Sequence, residues 1–206
     1  MSRGHITLID AGTGNLRSVY KALECAGAQV TLTDAADEVR RATKVVLPGV
    51  GAFGDFMIGL RAKGLDEAVH EVLRRGVLLL GICVGMQALF DFSEEMGVHA
   101  GLALLRGRVL HFPPLQDLKV PQTGWNQIWE RRESPLLARL PRGAYVYFNH
   151  SYYCAAQEED DVVAATDYGL DYASVVQRDN LFGVQFHPEK SQQVGLQILA
   201  NFIALV

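Results

Sequence analysis

Apolar and polar positions fall into two textures along the chain. In the first half, short apolar runs alternate with helical stripes. His5–Ile9 is an apolar run ending at Asp10, and a turn carrying Gly12 and Gly14 follows. Leu16, Val19, Tyr20 and Leu23 then recur at i, i+3, i+4 and i+7, which predicts a helix stopping near Gly27. Gln29–Thr33 alternates as a strand does, and residues 45–47 (Val-Val-Leu) form a buried-strand run closed by Pro48-Gly49. Leu65, Ala68, Val69, Val72 and Leu73 make a second stripe, ended by Gly76. Residues 77–80 do not alternate, which predicts a strand buried on both faces. Beyond about residue 100, β-like runs at 108–112, 126–130, 145–154, 174–177 and 181–187 come without long helices between them. Gly195, Ile198, Leu199, Phe202, Ile203 and Val206 predict a closing helix. The pattern predicts a single α/β domain over residues 1–206. It has a mostly parallel central sheet, helices on both faces and an antiparallel β extension in the second half.

Composition narrows the classes. With 49% hydrophobic residues the chain can bury a sizeable core, which excludes disorder. Its 23 acidic against 19 basic side chains give a net charge of −4, without the basic face of a nucleic-acid binder. The longest nearly apolar run, 77–86, is half the ~20 residues a membrane-spanning helix needs. Met1-Ser2-Arg3-Gly4-His5 leads straight into a strand, so no secretory leader is expected. Cys25, Cys83 and Cys154 are odd in number and lack Cys-x-x-Cys spacing. That argues against a disulfide framework or a zinc site and for a reducing cytoplasm.

One cysteine stands in a chemical context. Gly81-Ile82-Cys83-Val84-Gly85 follows the most apolar strand and precedes residues 86–90, where a helix is expected. This is the sulfur form of a nucleophile elbow, whose flanking glycines let strand and helix approach closely and whose backbone N–H groups can bind an oxyanion. The plain alternative is a small core residue in a glycine-rich turn. A nucleophilic cysteine needs a base. His70 lies among charges on a polar helix face, and His5, His99 and His111 have no partner pattern. His150 fits either a site or a buried hydrogen-bonding role. His187 stands apart: Phe182, Val184 and Phe186 occupy one strand face and leave it on the other, at the carboxyl end. Pro188 keeps His187 extended, so Glu189 falls alongside it, where a carboxylate can orient an imidazole. Gly12-Thr13-Gly14 with Asp34 is an incomplete dinucleotide fingerprint, because Arg17 stands where the third glycine belongs. Glu94-Glu95 and residues 158–161 read as solvated acidic turns, and no histidine pattern suggests a metal.

The elbow, followed a hundred residues on by Gly183-Val184-Gln185-Phe186-His187-Pro188-Glu189, resembles the class I (triad) glutamine amidotransferases. Further segments look most like the glutaminase subunits of imidazole glycerol phosphate synthases: the stretch from Ile9 to Val19, Leu47 to Phe53, Gly124-Trp125-Asn126, Tyr147 to Tyr152, and Lys190-Ser191-Gln192. The resemblance implies a flavodoxin-like fold and hydrolysis of L-glutamine by Cys83, His187 and Glu189, with no cofactor. It implies an oxyanion hole from the Val84 N–H and the Gly49-Val50-Gly51 segment, whose flip would switch activity. One such donor is worth ~10²–10³ in rate. Gln87, Ser151 and Tyr152 would hold glutamine. Asn15, Trp125, Tyr147 and Lys190 would face a separate (β/α)8-barrel cyclase that receives the ammonia in histidine biosynthesis. The sequence departs from the family at Ala11 (commonly aromatic), at Gln122-Thr123 (commonly His-Met) and at Asn149 (commonly apolar). Rival readings are another triad amidotransferase serving anthranilate, guanylate or pyridoxal phosphate synthesis, a partner-independent cysteine or γ-glutamyl hydrolase, and a binding module without activity.

Overall fold

The computed structural model describes residues 4–13, 15–114 and 118–206, so Gly14 and the first three residues lie outside the described part. The strands are β1 (His5–Ile9), β2 (Gln29–Thr33), β3 (Lys44–Gly49), β4 (Leu78–Cys83), β5 (Phe90–Ser93), β6 (His99–Ala100) and β7 (Leu105–His111). They continue as β8 (Gln122–Gln127), β9 (Trp129–Glu130), β10 (Tyr145–His150), β11 (Tyr152–Ala156), β12 (Val162–Asp167), β13 (Asp171–Arg178) and β14 (Leu181–Val184). The helices are α1 (Leu16–Cys25), α2 (Ala36–Arg40), α3 (Phe53–Ala62), α4 (Leu65–Arg74), α5 (Val84–Gln87) and α6 (Gln192–Ala204).

The main sheet runs β2-β1-β3-β4-β14-β13-β11-β7-β5-β6. Its first five strands are parallel, and β14, β13, β11 and β7 then pair antiparallel, as the change of texture predicts. Handedness sorts the helices. The β1-to-β2 connection steps one way along the sheet while β2-to-β3 and β3-to-β4 step the other, so right-handed crossovers place α1 opposite α2, α3 and α4. Accordingly α1 packs with α6, and α2 and α3 pack with α4. The fold is α/β.

Four local expectations are corrected. The helix expected over 86–90 is a single turn, α5, because the Ala88 and Leu89 carbonyls accept N–H groups of Leu102, Leu104 and Leu105 and the chain enters β5 at Phe90. The run at 145–154 is two strands in two sheets, broken at Ser151: β10 pairs with β8 in a two-stranded sheet, while β11 joins the main sheet. The run at 126–130 likewise splits between β8 and β9. The strand at 181–187 ends at Val184. Helices α2 and α3 and strand β12 carry no stripe strong enough to announce them. α3 contains Gly59, where a Cβ would stand 2.2 Å from the Ala11 carbonyl oxygen, so the helix needs that glycine to cross the end of β1.

Candidate active site

Three adjacent parallel strands point their carboxyl ends the same way, where open α/β sheets bind ligands. β3 ends at Gly49, in register with Cys83 at the end of β4. β14 ends at Val184, and the chain reaches His187 three residues later.

Cys83 has φ 55 and ψ −112, a left-handed conformation that turns its side chain out of the sheet. The chain then folds back so closely that only glycine fits. A Cβ at Gly85 would lie 1.9 Å from the Leu47 carbonyl oxygen, and one at Gly81 would lie 2.7 Å from the Gly85 oxygen. Gly49 is equally confined, 2.8 Å from the Gly85 nitrogen by the same construction, whereas Gly51 has open space and φ +88.

His187 Nδ1 lies 2.8 Å from Glu189 Oε1, and both side chains are buried. His187 is extended before Pro188, as expected. Glu189 instead belongs to a 3₁₀ turn, Pro188–Lys190, so the two side chains meet through a tight turn rather than a continued strand. That turn is fastened at Ser191, whose hydroxyl donates to the His187 carbonyl at 2.6 Å and accepts the Tyr147 N–H at 3.0 Å. Desolvation by itself would lower the imidazole pKa. Hydrogen bonds and charge at Cys83 and Glu189 outweigh it and push His187 up to about 10, so the ring holds its proton at neutral pH.

The cleft above Cys83 has a volume of about 430 Å³. Val50, Gly51, Val84, Gln87, Ser151, Tyr152 and His187 line it, and Asn15 and Lys190 reach it as well. Gln87 is buried, with its amide donating to the Tyr152 carbonyl at 3.0 Å. Trp125 and Tyr147 lie outside the cleft lining but adjoin it: Lys190 Nζ stands 5.5 Å over the Tyr147 ring, which meets Trp125 edge to face at 6.1 Å. Among the described residues no cluster of three or more His, Cys, Asp or Glu could hold a metal, and no helix is long and apolar enough to cross a membrane.

A profile of the class-I glutamine amidotransferases matches residues 7–205. The chain belongs to this family. The amidotransferase is 52% identical over 201 residues to the imidazole glycerol phosphate synthase subunit HisH of Moorella thermoacetica, covering 98% of this chain and 95% of that protein. The protein of the same name from Salinibacter ruber is 50% identical over 204 residues, covering 97% and 94%. Among solved structures, a chain of PurLQS from Thermotoga maritima has the same fold, with a TM-score of 0.74 at 20% identity, covering 98% of both chains.

Three residues in or behind the amidotransferase cleft had little or no sequence signal. Glu95, read as a solvated turn, lines the cleft, and its carboxylate accepts the Phe53 N–H at 2.7 Å at the start of α3. Only its partner Glu94 behaves as expected, pairing with Arg108 at the surface. His150, left open, is buried. Its Nδ1 meets the Tyr152 carbonyl at 2.7 Å, and desolvation outweighs that bond and lowers its pKa to about 4. Gln185 is fully buried behind Cys83. Two of the positions read as departures from the resemblance, Thr123 and Asn149, meet each other. Thr123 faces Asn149 and Gln122 faces His150 across the β8–β10 pair, and the Thr123 hydroxyl donates to Asn149 Oδ1 at 3.1 Å.

Proposed function

We propose that this chain, as one domain over residues 1–206, is the glutaminase subunit of an imidazole glycerol phosphate synthase. The observation that carries this reading is the near full-length identity to subunits of that name, joined to a buried Cys83–His187–Glu189 constellation at the sheet's carboxyl edge. Cys83 Sγ attacks the side-chain amide carbon of L-glutamine. The departing nitrogen takes the proton held on His187 and leaves as ammonia, which gives a γ-glutamyl thioester. Water, deprotonated by the now neutral His187, attacks the thioester carbon and releases glutamate, returning the sulfur and the imidazolium to their starting state. Glu189 keeps the ring oriented. The Val84 N–H, with a donor from Gly49-Val50-Gly51, holds the oxyanion. Gln87, Ser151 and Tyr152 hold the substrate.

The ammonia passes to a separate (β/α)8-barrel cyclase, which forms imidazole glycerol phosphate and aminoimidazole carboxamide ribotide in the cytoplasm. Asn15, Trp125, Tyr147 and Lys190 form the docking rim; a half-exposed Trp beside Tyr and Lys suits an interface anchor. The test is glutamate release on mixing with a histidine-pathway cyclase and its ligand. Release should rise sharply over the free chain and vanish in Cys83→Ala, and mass spectrometry should find the thioester on Cys83. Equal release without the cyclase, or activity surviving Cys83→Ala, would overturn the reading.

A further inference from the structure

The neighbour of the nucleophile on the next strand is a polar residue buried without charge. β14 pairs with β4 in parallel, Val184 opposite Ile82, so the next residue, Gln185, just past the end of β14, comes beside Cys83. Its side chain is fully buried. A buried carboxamide is costly unless both its ends are hydrogen-bonded, and here both are. Oε1 accepts from Gln87 Nε2 at 3.2 Å and from the Cys154 thiol at 3.9 Å. Nε2 lies 3.8 Å from Cys83 Sγ, within hydrogen-bond reach of sulfur.

The direction of this amide follows from its partners. The side chain of Gln87 also meets the backbone carbonyl of Tyr152, which can only accept. Gln87 therefore presents its NH2, the atom of Gln185 facing that NH2 is the oxygen, and the NH2 of Gln185 is left facing the sulfur. A backbone carbonyl on β11 thus orients two glutamines in series and ends in an N–H aimed at the reacting atom.

We propose that Gln185 is a further catalytic residue, whose carboxamide N–H donates to the Cys83 sulfur, favours its anionic form and holds it toward the cleft. The imidazolium gives its proton to ammonia and ceases to be a charged donor, whereas the amide cannot lose its proton. Gln185 is then the constant donor, present for the attacking sulfur and again when the sulfur leaves the thioester as an anion. Such a donor reduces the sulfur's nucleophilicity by less than it raises the ionised fraction, because the dependence of attack on thiol basicity has a slope of only about 0.4–0.5.

The inference rests on the glutaminase reading, and two measurements separate them. Alkylation of Cys83 by iodoacetamide, read on the Cys83 peptide by mass spectrometry, needs neither glutamine nor cyclase. Gln185→Met keeps the side chain's length and removes the donor, while Gln185→Glu keeps its shape and replaces NH2 by oxygen. In Gln185→Met alkylation at pH 7 should slow about fourfold, the low end for a hydrogen bond to a charged group after the offsetting gain in nucleophilicity, and more in Gln185→Glu. In the complex kcat should fall by a similar factor with KM for glutamine unchanged. A variant that melts like wild type and alkylates like wild type overturns the proposal, including when KM rises, since Gln185 would then only support Gln87. Should Gln185→Met fail to fold, the isosteric Gln185→Glu carries the same test. A wild-type chain that releases no glutamate with the cyclase sinks the glutaminase reading, while alkylation still decides whether Gln185 acts on the sulfur.

Discussion

The proposed nucleophile and its proposed base are held by opposite means. Cys83 is placed by packing: a left-handed φ, and glycines at 49, 81 and 85 with backbone atoms, and at Gly49 also the Phe56 ring, within 3 Å of where a Cβ would stand. His187 is placed by polar bonds. Glu189 holds its ring, the Tyr147 carbonyl accepts its backbone N–H at 2.9 Å, and Ser191 ties the turn to β10. A steric site has no intermediate settings, because an added atom either fits or moves the backbone. A polar site can be weakened one bond at a time. The two halves should therefore fail differently, the first in folding and the second in rate or pH dependence.

The steric half should break first and hardest. Gly85→Ala puts a methyl 1.9 Å from the Leu47 oxygen, with β3 and β4 paired on each other and unable to separate. Stability should drop by upwards of about 4 kcal/mol, a size associated with overpacked or strained backbone. Thermal melting of the purified variant against wild type measures it. A Gly85→Ala protein that melts normally would show that the elbow has slack and would erase the contrast.

Glu189→Gln probes the polar half with little change of shape. The fold should survive, since the substitution is isosteric and the position is buried. The rate should not: kcat should fall roughly 10²–10³-fold, as when an acid–base group loses its orienting partner. The proton should also leave His187 at lower pH than the about 10 of the intact pair, because one of the bonds that raises it is gone. Steady-state glutaminase kinetics and a histidine NMR titration read the two effects. Unchanged kcat would mean that the turn alone orients the ring.

This contrast also governs what was legible in the sequence. The steric half is local, five residues long, and spelled in glycines, so Gly81 to Gly85 announced it. The His187–Glu189 contact was legible too, although through the wrong backbone: alternation pointed to an extended segment, and the chain makes a 3₁₀ turn that Ser191 closes from outside it. The parallel strands and the stripes of α1 and α4 were visible because one periodicity fills each. What stayed hidden depends on partners far away in sequence. α5 stops after one turn because residues 102–105 compete for its carbonyls, and the break at Ser151 shows only once β10 is seen to pair with β8. Glu95 and Gln185 gave no usable signal, since a glutamate in a loop and a glutamine just past a strand are ordinary until their contacts with Phe53 and Cys83 are known.

The smallest effect sharpens the comparison within the polar half, where two buried histidines share one cleft and titrate in opposite directions. His150 is packed against Phe112, Phe148 and Tyr172, with no carboxylate bonded to it among the described residues, and His187 adds positive charge nearby. Burial and that charge keep it neutral. The unfolded chain takes up a proton at this position near the ordinary 6.5, while the folded chain resists until about 4. Between those values the unfolded state binds more protons, so His150 makes stability fall as pH falls. His187 does the reverse: its contribution is full below 6.5 and is lost as pH rises toward about 10. His150→Gln keeps a donor for the Tyr152 carbonyl and removes the titration. Urea melts from pH 4 to 10 should therefore show a flatter acid limb, between pH 4 and 6.5, than wild type, while the alkaline limb above 6.5, to which His187 contributes, keeps its slope. An acid limb as steep in the variant as in wild type would assign that loss of stability to other groups. A change confined to the alkaline limb would mean that His150 acts through His187, and the two histidines would then be one coupled pair rather than two independent sites.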